Sequence, residues 1–508
     1  MLGREAVQLD GSRLKRAVEL FKLAVNLAYR IEKCEIEIDS FLNAMAGGYV
    51  EAGPSGALTR GRINALPTGR NFYAVDPRVI PTKAAWRIGV ETAEKLIEFY
   101  RAKHGRYPEA VGHWLWSLDA YKADGEQISQ ILYLMGVKPV WSSDGSVEGL
   151  EVIPLEELGR PRIDNIVRIS SILRDTMMCF VEMIDEAVKM VLELDEPPDL
   201  NYVKKHYEQA KSKLIEMGVE PSEAELKARS RVYGDAPGSY GAGVNLAVEA
   251  SAWRDSEDLA KVWIHWSCYS YGKGVYGVRN VEGLVVGLKA VDVVTRNHAS
   301  DEHDPLNCCC YFSYHGGFYN AVKALTGRND VEIAIVDTRD INRTEVREMK
   351  AEVERVVRAK LLNPVWISEM KKHGYRGASE FSKKILHLYG WSATARIVDD
   401  WVFNEIASTY ALNEEMKKWF MENNVWALEE ISRRLIEAAE RGLWRADEET
   451  LKRLKGVYGE IEGVMEEMVT TPGMHQGGAI NIVTPDDYEV WGEKISNVSR
   501  VWDEVKKR

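Results

Sequence analysis

The chain has 508 residues, of which 45% are hydrophobic, and a formal net charge of −12 at pH 7. This length predicts about two to four domains, and the acidic balance argues against a dominant nucleic-acid surface, which needs a basic face. No apolar run approaches the ~18 residues that a membrane-spanning helix needs, and no signal peptide opens the chain. The six cysteines form no CxxC pair, so we expect a reducing, cytoplasmic location.

The first half of the chain alternates helical and strand patterns. Residues 12–46 and 83–103 carry apolar side chains at helical spacing. From residue 110 short segments follow, with "AVGHWLWSL", "VKPVW", "LEVIPL" and "IDNIVRIS" read as strands and "ISQILYLMG" as a helix. Helices resume at 173–195, and "LDEPPD" predicts a linker. This alternation predicts an open α/β sheet.

The second half begins with a charged helical stretch at 200–230. "AVDVVT" (290–295) and "VEIAIVD" (331–337) are strand-like, whereas almost everything from 344 to about 469 is amphipathic helix. We therefore expect a multi-domain α/β fold, with open α/β sheet portions followed by a largely helical C-terminal region. The predicted domains are an N-terminal helix and linker (1–64), an α/β domain (65–198), a second α/β domain with the candidate site (199–343), a helical region (344–470) and a C-terminal tail (471–508).

Known nucleotide and hydrolase motifs are absent or misplaced. "GKGVYG" at 272–277 matches GxGxxG, but a dinucleotide site needs a strand before the glycines and a helix directly after them, and the residues before this match look helical. No GxxxxGK[ST] occurs, and HExxH, GxSxG and the protein-kinase motifs are absent as well. Any ATP that the function needs must therefore be hydrolysed by another protein.

One stretch, "DEHDPLNCCCYFSYHGG" at 301–317, gathers acids, histidines and three consecutive cysteines. It follows a predicted strand, and ligands of open α/β sheets bind in the loops at the carboxyl strand ends. His303 and His315 could bring two imidazoles to one pocket, which suits cobalt, nickel or zinc better than magnesium. The alternative, which spacing alone favours, is a solvated acidic turn followed by a helix that starts at "HGGFYNAVKAL".

Other candidate features have structural alternatives. On an extended chain Cys308–Cys310 would point to alternating sides, which favours partly buried structural thiols over a metal cage. "ALPTGRN" (65–71) and "GDAPGSYGAG" (234–243) are turns rich in backbone N–H groups that can bind carboxylates or phosphates, although such segments are more often only turns. His113 lies in an apolar run and is predicted to be a core histidine rather than a ligand.

Several long motifs then occur in one order: "ALPTGRNFYAVDPRVIPTKAAW", "ISQILYLMGVKPVW", "LEVIPLEELGRPRIDNIVRIS", "RVYGDAPGSYGAGVN", "EHD" with "YHGG", and "NPVWISEMKKHGYRGASEF". Together they resemble the C-terminal part of the CobN/magnesium chelatase large-subunit family, over about residues 30 to 445. The resemblance implies a subunit of an ATP-dependent chelatase that inserts cobalt or magnesium into a tetrapyrrole. "EHD" followed by "HGG" is similar to the cobalt branch, although the family has acidic and tyrosine residues where this chain has Asn307 and Cys308–Cys310.

Family members also carry, upstream of the matched region, a stretch resembling HGTLEWLPGK, and this chain contains nothing like it. The resemblance therefore implies the C-terminal half of a split large subunit, or a remnant of one. Its expected partners are the N-terminal half, a tetrapyrrole substrate and AAA+ ATPase subunits that use the ATP, with no nucleic acid and no membrane. We expect this chelatase subunit to be active only with those partners.

The resemblance and the chemistry together predict roles for individual residues. The metal ligands are His303, His315 and Asp301, and the catalytic groups are His303, Asp304, Glu302 and His315, which hold a partly dehydrated cation and accept protons from the pyrrole nitrogens. The residues expected to bind the tetrapyrrole are Thr68, Arg70, Asn71, Ser239 and Tyr240. The aromatic side chains expected to stack on the ring are Trp114, Tyr240 and Tyr314.

The predicted reaction is cobalt insertion into a corrin-type ring for cobalamin biosynthesis. A magnesium chelatase-type subunit and a tetrapyrrole- or metal-binding protein without turnover are the alternatives within this interpretation. A metal-dependent hydrolase unrelated to tetrapyrroles is a third possibility, and it predicts activity from the isolated chain.

Overall fold

The computed structural model describes residues 11–56, 58–60, 62–73, 75–467 and 489–506. Of the predicted C-terminal tail, only the helix Glu489–Lys506 falls within these ranges. The strands in the described residues are β1 (Ala52–Pro54), β2 (Asn71–Tyr73), β3 (Ala110–Leu115), β4 (Val137–Trp141), β5 (Val147–Val152), β6 (Asp164–Ile169), β7 (Val232–Gly234), β8 (Tyr269–Gly272), β9 (Val275–Arg279), β10 (Val291–His298), β11 (Glu332–Asp337) and β12 (Glu345–Glu348).

One eight-stranded sheet organises the molecule, in the order β12-β11-β10-β3-β6-β7-β8-β9. The five strands from β11 to β7 in this order are parallel, and antiparallel strands extend both edges. The predicted open α/β sheet is therefore confirmed. Strands from both predicted α/β domains, 65–198 and 199–343, lie in this single sheet, and the boundary between those domains stays a prediction.

The centre of the sheet is buried because helices cover both of its faces. Strands β3, β6 and β10 are buried along their whole length, as expected for parallel strands in an α/β fold. In β10, Val293 packs with the helix Lys83–His104 on one face, whereas Val294 packs with Trp263 and Phe318 on the other. The sequence pattern of short apolar runs separated by helices follows from this three-layer arrangement.

The longer helices of the first three hundred and thirty residues agree with the predicted ones in place and approximate length, whereas the short helices Leu118–Ala123, Leu155–Leu158, Val244–Glu249 and Val281–Leu288 were not predicted. Thr82 caps the helix that begins at Lys83, accepting a hydrogen bond from the Ala85 N–H at 3.1 Å, and Gly105 ends it with φ 69°. The α-helices of this part are Gly11–Glu32, Ile36–Met45, Lys83–His104, Leu118–Ala123, Glu126–Leu134, Leu155–Leu158, Ser171–Thr176, Met178–Leu192, Tyr202–Glu216, Pro221–Arg229, Val244–Glu249, Ser256–Ser267, Val281–Leu288 and Gly317–Thr326.

The C-terminal region is helical apart from its first residues. The prediction of helix from residue 344 is wrong for β12, which pairs antiparallel with β11 at the edge of the sheet. The α-helices that follow are Met349–Val356, Pro364–Lys371, Gly374–Ala395, Asp400–Ile406, Glu414–Asn423, Val425–Glu440 and Glu448–Glu467. Short 3-10 turns lie at Lys33–Glu35, Leu58–Arg60, Ile63–Ala65 and Pro77–Val79, and π-helical turns at Tyr311–Gly316, Val357–Leu361 and Ala407–Ala411.

Buried arginines join the C-terminal region to the α/β part. Arg434 donates hydrogen bonds to the carbonyl oxygens of Val248 at 3.0 Å and Glu249 at 2.6 Å, and pairs with Glu437 at 2.8 Å. These partners compensate for the removal of the guanidinium charge from water. Among the described helices, none has the length and apolar character needed to span a bilayer.

The GxGxxG match lies in a β-hairpin. The expectation that the residues before it are helical is wrong, because the helix Ser256–Ser267 ends earlier and β8 occupies Tyr269–Gly272. The chain turns at Lys273 and Gly274 and returns as β9, so a strand rather than a helix follows the glycines. The match therefore lacks the helix N-terminus that would bind a pyrophosphate.

Gly89 sets the close approach of the helices Lys83–His104 and Glu126–Leu134. A Cβ at this position would overlap the Cβ of Ser129 and would lie 2.8 Å from the Gln130 nitrogen and 2.9 Å from the Glu126 oxygen. Because two of these atoms are backbone, we expect Gly89→Ala to lower the free energy of unfolding by about 2 to 3 kcal/mol.

Urea unfolding of the variant, followed by circular dichroism, measures this effect. The matched control is Gly149→Ala in β5, where nothing lies within 4 Å of an added Cβ and where we expect a change below about 0.5 kcal/mol. Equal unfolding midpoints for the two variants would contradict the close packing described for Gly89.

Candidate active site at the carboxyl edge of the sheet

The carboxyl ends of β3, β10 and β11 meet at one edge of the sheet, where a small cavity of about 40 Å³ lies. Its polar lining comes from the end of β10, from the loop that follows and from the segment after β3. The side chains that carry its chemistry are Asp119, Arg296, Asn297, His298 and His303. This is the position at which open α/β folds bind ligands, as the sequence predicts for the 301–317 segment.

Arg296 brings a positive charge to the cavity without an anionic partner. Its side chain is largely buried, and its guanidinium carbon lies 4.1 Å from the ring centroid of Trp114 and 4.4 Å from that of Tyr311. Among the described residues, no carboxylate oxygen lies within 4.0 Å of it. Contact with the two rings holds the guanidinium in place, and its charge remains available to an anionic ligand.

His298, the last residue of β10, supplies a buried imidazole. Its Nε2 atom has no hydrogen-bond partner and lies 3.9 Å from the Asp301 carboxylate. Burial lowers the pKa of His298, so the ring is neutral at pH 7 and can bind a cation through a nitrogen lone pair. The ligand atoms of His298, Asp301 and Glu352 all lie within 4.8 Å of one another.

Arginines compete with a cation for the carboxylates of this group. Arg339 and Arg355 contact Asp301 at 2.6 and 3.0 Å, and Arg355 also contacts Glu352 at 2.7 Å. The imidazole of His298, followed by Arg339, holds the pKa of Asp301 well below its usual range. A divalent cation would therefore have to displace guanidinium groups from Asp301 and Glu352, and the neutral nitrogen of His298 is the ligand without such a competitor.

Asp119 is a buried carboxyl group that titrates near neutral pH. It accepts hydrogen bonds from the backbone N–H groups of Gln127 at 2.8 Å and Ile128 at 3.2 Å. Burial nevertheless raises its pKa to about 7, because desolvation of the charged form outweighs the two hydrogen bonds. A group with this pKa can accept and release protons at physiological pH.

Asn297 has a buried side-chain amide at the cavity. Both polar atoms of its side chain are buried, and neither has a partner among the described residues. Buried amides are normally paired with protein atoms or water. The unpaired amide of Asn297, next to the charge of Arg296, marks the cavity as a place for a polar ligand.

The predicted residues of the 301–317 segment separate into two groups. His303 is exposed and lines the cavity, and its carbonyl oxygen accepts a hydrogen bond from the Tyr311 hydroxyl at 2.6 Å. Asp301 and Glu302 are also exposed, and Glu302 forms an ion pair with Lys122, which lines the same cavity. These three residues form the solvent side of the site.

Asp304 and His315 lie in the interior instead. Burial raises the pKa of Asp304, but Lys384 and Lys360 outweigh this effect and the pKa is lowered. His315 is fully buried, with its ring 5.9 Å from that of Trp391, and burial lowers its pKa to about 3. Neither residue lines the cavity, so the structure does not place the imidazoles of His303 and His315 in one pocket.

The helix Gly374–Ala395 of the C-terminal region packs against the buried side of the 301–317 segment. Trp391 Nε1 donates to the Pro305 oxygen at 3.1 Å, and His387 Nδ1 lies 2.7 Å from the Leu306 oxygen. Lys384 contacts Asp304 at 3.3 Å. The helical region therefore fixes the conformation of a loop that the sheet presents at its carboxyl edge.

The two predicted tetrapyrrole-binding loops differ in their relation to the site. Tyr240 is half-exposed, and its hydroxyl lies 3.8 Å from the Cys310 sulfur, so the 234–243 loop adjoins the 301–317 segment. Ser239 donates to the Ala236 oxygen at 2.8 Å within the same loop. Trp114 and Tyr314 stack on each other at 5.4 Å in the core, which leaves Tyr240 as the exposed aromatic residue of the predicted set.

The 65–71 loop packs on the N-terminal helical segment. The Thr68 N–H lies 3.5 Å from the Cys34 sulfur. Arg70 donates hydrogen bonds within the loop, to the backbone oxygens of Pro67 at 3.1 Å and Asn64 at 2.9 Å. Asn71 is the first residue of β2. Within the described residues, no hydrogen bond or ion pair joins this loop to 234–243 or 301–317. The structure thus brings two of the three predicted loops together.

The prediction that His113 is a core histidine is confirmed, whereas four residues of the cavity were not predicted from the sequence. His113 is fully buried, with Nε2 2.9 Å from the Asn165 side-chain oxygen. The missed residues are Asp119, Arg296, Asn297 and His298. Three of them, Arg296, Asn297 and His298, belong to the sequence "TRNH" at the end of β10. This strand continues to His298, beyond the predicted end at Thr295, and places polar side chains at the carboxyl edge of the sheet.

The chain is similar to known proteins over most of its length. A family model described as CobN/Magnesium Chelatase matches residues 4–451. The chain is 37% identical over 427 residues to the aerobic cobaltochelatase subunit CobN of Pseudomonas aeruginosa, covering 84% of this chain and 34% of that protein. It is 37% identical over 440 residues to the chloroplastic magnesium-chelatase subunit ChlH of Oryza sativa subsp. indica, covering 85% of this chain and 31% of that protein.

A solved structure of the same family is similar to this chain in fold. The catalytic subunit of cobaltochelatase from Mycobacterium tuberculosis superposes with a TM-score of 0.80 and 39% identity, over 84% of this chain and 36% of that chain. The chain spans about a third of the length of the curated relatives it matches. From the family model, the relatives and the shared fold, we conclude that the chain belongs to the CobN/magnesium chelatase family.

Proposed function

We propose that this chain is the C-terminal part of the large subunit of an ATP-dependent tetrapyrrole metal chelatase, and that the complete complex inserts cobalt into a corrin-type ring. The observation that carries the proposal is the buried, unpaired Arg296 beside the neutral imidazole of His298 and the titrating carboxyl of Asp119, in a chain of the chelatase family. The ATP would be hydrolysed by AAA+ partner subunits, since the sequence contains no GxxxxGK[ST] loop.

Metal insertion requires a cation that loses water and a base that takes protons from the pyrrole nitrogens. His303 at the mouth and His298 inside the cavity would bind the cation in turn, with Asp301 and Glu302 supplying negative charge at the surface. Asp119 would accept a proton, because its pKa of about 7 balances proton affinity against availability of the basic form.

The tetrapyrrole would approach the cavity from outside. A volume of about 40 Å³ accommodates an ion and a few ligand atoms but not a macrocycle. Arg296 would attract a carboxylate of the ring, and Tyr240 would stack on its face. The remaining walls of the cleft would come from the N-terminal half of the subunit, together with the loop that carries Thr68, Arg70 and Asn71.

The interior residues of the predicted set take positioning roles in this proposal. Asp304, held between Lys360 and Lys384, would keep His303 at the mouth of the cavity, and His315 would support the core beneath Trp114. Ser239 would hold the 234–243 loop in the conformation that presents Tyr240. Cobalt is proposed over magnesium because imidazole nitrogen is a better ligand for cobalt.

His303→Ala tests the proposed metal path, because the residue is exposed and its removal leaves the core intact. In a complex reconstituted with the N-terminal half and the ATPase subunits, we expect cobalt insertion to fall by about 10- to 100-fold, in line with the loss of a metal-binding group. His373→Ala, at another exposed histidine in the helical region, should insert cobalt at the unaltered rate.

Absorption spectra of the tetrapyrrole report both binding and insertion in the same assay. Unchanged insertion by His303→Ala would remove this residue from the mechanism. Ring binding without insertion in the complete mixture would instead favour a tetrapyrrole-binding protein without turnover.

A further inference from the structure

The three consecutive cysteines form one cluster in the structure. The expectation that Cys308–Cys310 lie on an extended chain is wrong, because helical backbone begins at Cys309 and continues into the π-helical turn Tyr311–Gly316. Consecutive side chains of a helix project at successive positions around its axis, whereas those of a strand alternate between two sides. As a result, the three sulfur atoms lie within 4.8 Å of one another.

This spacing is close to that of a thiolate metal site. In tetrahedral zinc sites the metal–sulfur distance is about 2.3 Å, which places neighbouring sulfurs about 3.8 Å apart. Small rotations of the cysteine side chains would therefore bring three sulfurs onto one ion. A fourth position would remain for water or another ligand, as in sites that exchange their ligands.

A backbone N–H group and a lysine lie close to the sulfur atoms. The Cys310 N–H lies 3.4 Å from the Cys308 sulfur at the start of the helical segment, where backbone N–H groups stabilise negative charge. Lys384 lies next to the cluster through its contact with the Asn307 side chain.

The cluster is also accessible, which separates it from a thiol that only fills the core. Cys308 and Cys309 are half-buried, whereas Cys268 is fully buried and donates to the His265 carbonyl oxygen at 3.4 Å. Tyr240 reaches the cluster from the 234–243 loop, with its hydroxyl 3.8 Å from the Cys310 sulfur. A cation can therefore reach these sulfurs from the surface that carries the exposed loops.

We propose that Cys308, Cys309 and Cys310 form a three-thiolate site that binds one thiophilic divalent cation, such as zinc or cobalt, and excludes magnesium. Thiolate is a soft ligand that selects borderline and soft metals, whereas magnesium requires oxygen ligands in octahedral geometry. The site is distinct from the cavity of Arg296 and His298, whose metal ligands are imidazole and carboxylate. It does not depend on the proposed chelatase function, because no ring and no partner subunit are needed for binding.

Cobalt(II) added to the reduced, full-length chain under anaerobic conditions tests the proposal. We expect a thiolate-to-cobalt charge-transfer band in the near ultraviolet, with visible bands of tetrahedral cobalt, saturating at one equivalent of the sulfur-bound ion. Zinc should remove the bands by displacement, and a large excess of magnesium should leave them unchanged.

The diagnostic variant is the double substitution Cys308→Ser with Cys309→Ser, which alters the half-buried cysteines and leaves Cys310 in place. We expect it to lose the charge-transfer band and to weaken zinc binding by at least about 100-fold. Cys179→Ser, at an exposed thiol on another helix, should keep the band, and circular dichroism checks that both variants are folded.

Absence of the band in the unaltered chain, or its persistence in the folded double variant, would overturn the thiolate site. His303→Ala separates this result from the proposed chelatase function. It should retain the sulfur band in the isolated chain while cobalt insertion by the complete complex falls, so the two proposals fail independently.

Discussion

Arg296→Met is expected to lower metal insertion by the reconstituted complex by about 100- to 1000-fold without unfolding the chain, the loss typical of removing one preorganised electrostatic group. The guanidinium has no carboxylate partner among the described residues, so its removal leaves no buried anion uncompensated. The lost contacts with Trp114 and Tyr311 cost about 1 to 2 kcal/mol, and methionine retains much of the side-chain volume. Insertion is followed by absorption of the metallated ring and stability by urea unfolding.

Arg434→Met provides the matched control for a buried arginine. Arg434 is paired with Glu437 and with two backbone carbonyl groups, so its removal leaves partners unpaired and should cost about 3 to 5 kcal/mol. We therefore expect Arg434→Met to lose stability and Arg296→Met to lose insertion. Full insertion by a folded Arg296→Met variant would contradict the role given to this charge.

Asp119→Asn is expected to lower insertion by about 100- to 10,000-fold at pH 8, the range for removal of a general base. It should also remove the part of the pH profile that rises through pH 7. In the unaltered complex the rate should increase with pH over this range, because the basic form of Asp119 appears as pH passes its pKa of about 7. Rates measured from pH 5.5 to 8.5 for both complexes test this expectation.

Titration of Asp119 should also make the free energy of unfolding depend on pH, but in the opposite direction from the insertion rate. Because the folded-state pKa of Asp119 is raised above the usual value of 3.8, its favourable contribution is complete below pH 4 and is lost as pH rises to 7. The loss amounts to about 4 kcal/mol at most. Asp119→Asn should therefore reduce the fall in unfolding free energy between pH 4 and pH 8.

Glu429→Gln is the control for a buried acid outside the site. Burial also raises the pKa of Glu429 to about 7, but this residue lies on the helix Val425–Glu440 and does not line the cavity. It should alter the pH dependence of stability and leave the pH profile of insertion in place. If both variants change insertion in the same way, Asp119 acts through stability and not as a base.

Local patterns in the sequence were sufficient to predict the positions of most of the longer helices and of the central strands. The helix predicted at 83–103 is Lys83–His104, and the strand predicted at "IDNIVRIS" is Asp164–Ile169. Caps and periodicity act over a few residues, so they can be read without the fold. The errors occurred where pairing with a distant strand decided the conformation, as in β8 and β12.

The order of the motifs identified the family, and the family match is confirmed over residues 4–451. His303 and Asp301 were predicted as site residues because they follow a strand directly and loops at carboxyl strand ends bind ligands. The structure places both in the exposed loop after β10, and their role stays a prediction. His315 was assigned to the same pocket from residue type alone. The structure places it in the core, because the helical turn between Tyr311 and Gly316 directs its ring toward Trp391.

The amino-acid sequence by itself determined the longer helices, the parallel strands β3, β6, β10 and β11, the family and the loop that carries His303, because each depends on short-range pattern or on motif order. The convergence of the three cysteine sulfurs follows from the helical backbone that begins at Cys309, which the sequence pattern did not indicate. Only the tertiary structure decided that Arg296, His298 and Asp119 share one cavity. Strand β10 lies between β3 and β11, which are distant from each other in the chain, and this long-range pairing brings the ends of the strands together. Side-chain convergence of this kind follows from backbone direction in three dimensions, which local residue patterns do not specify.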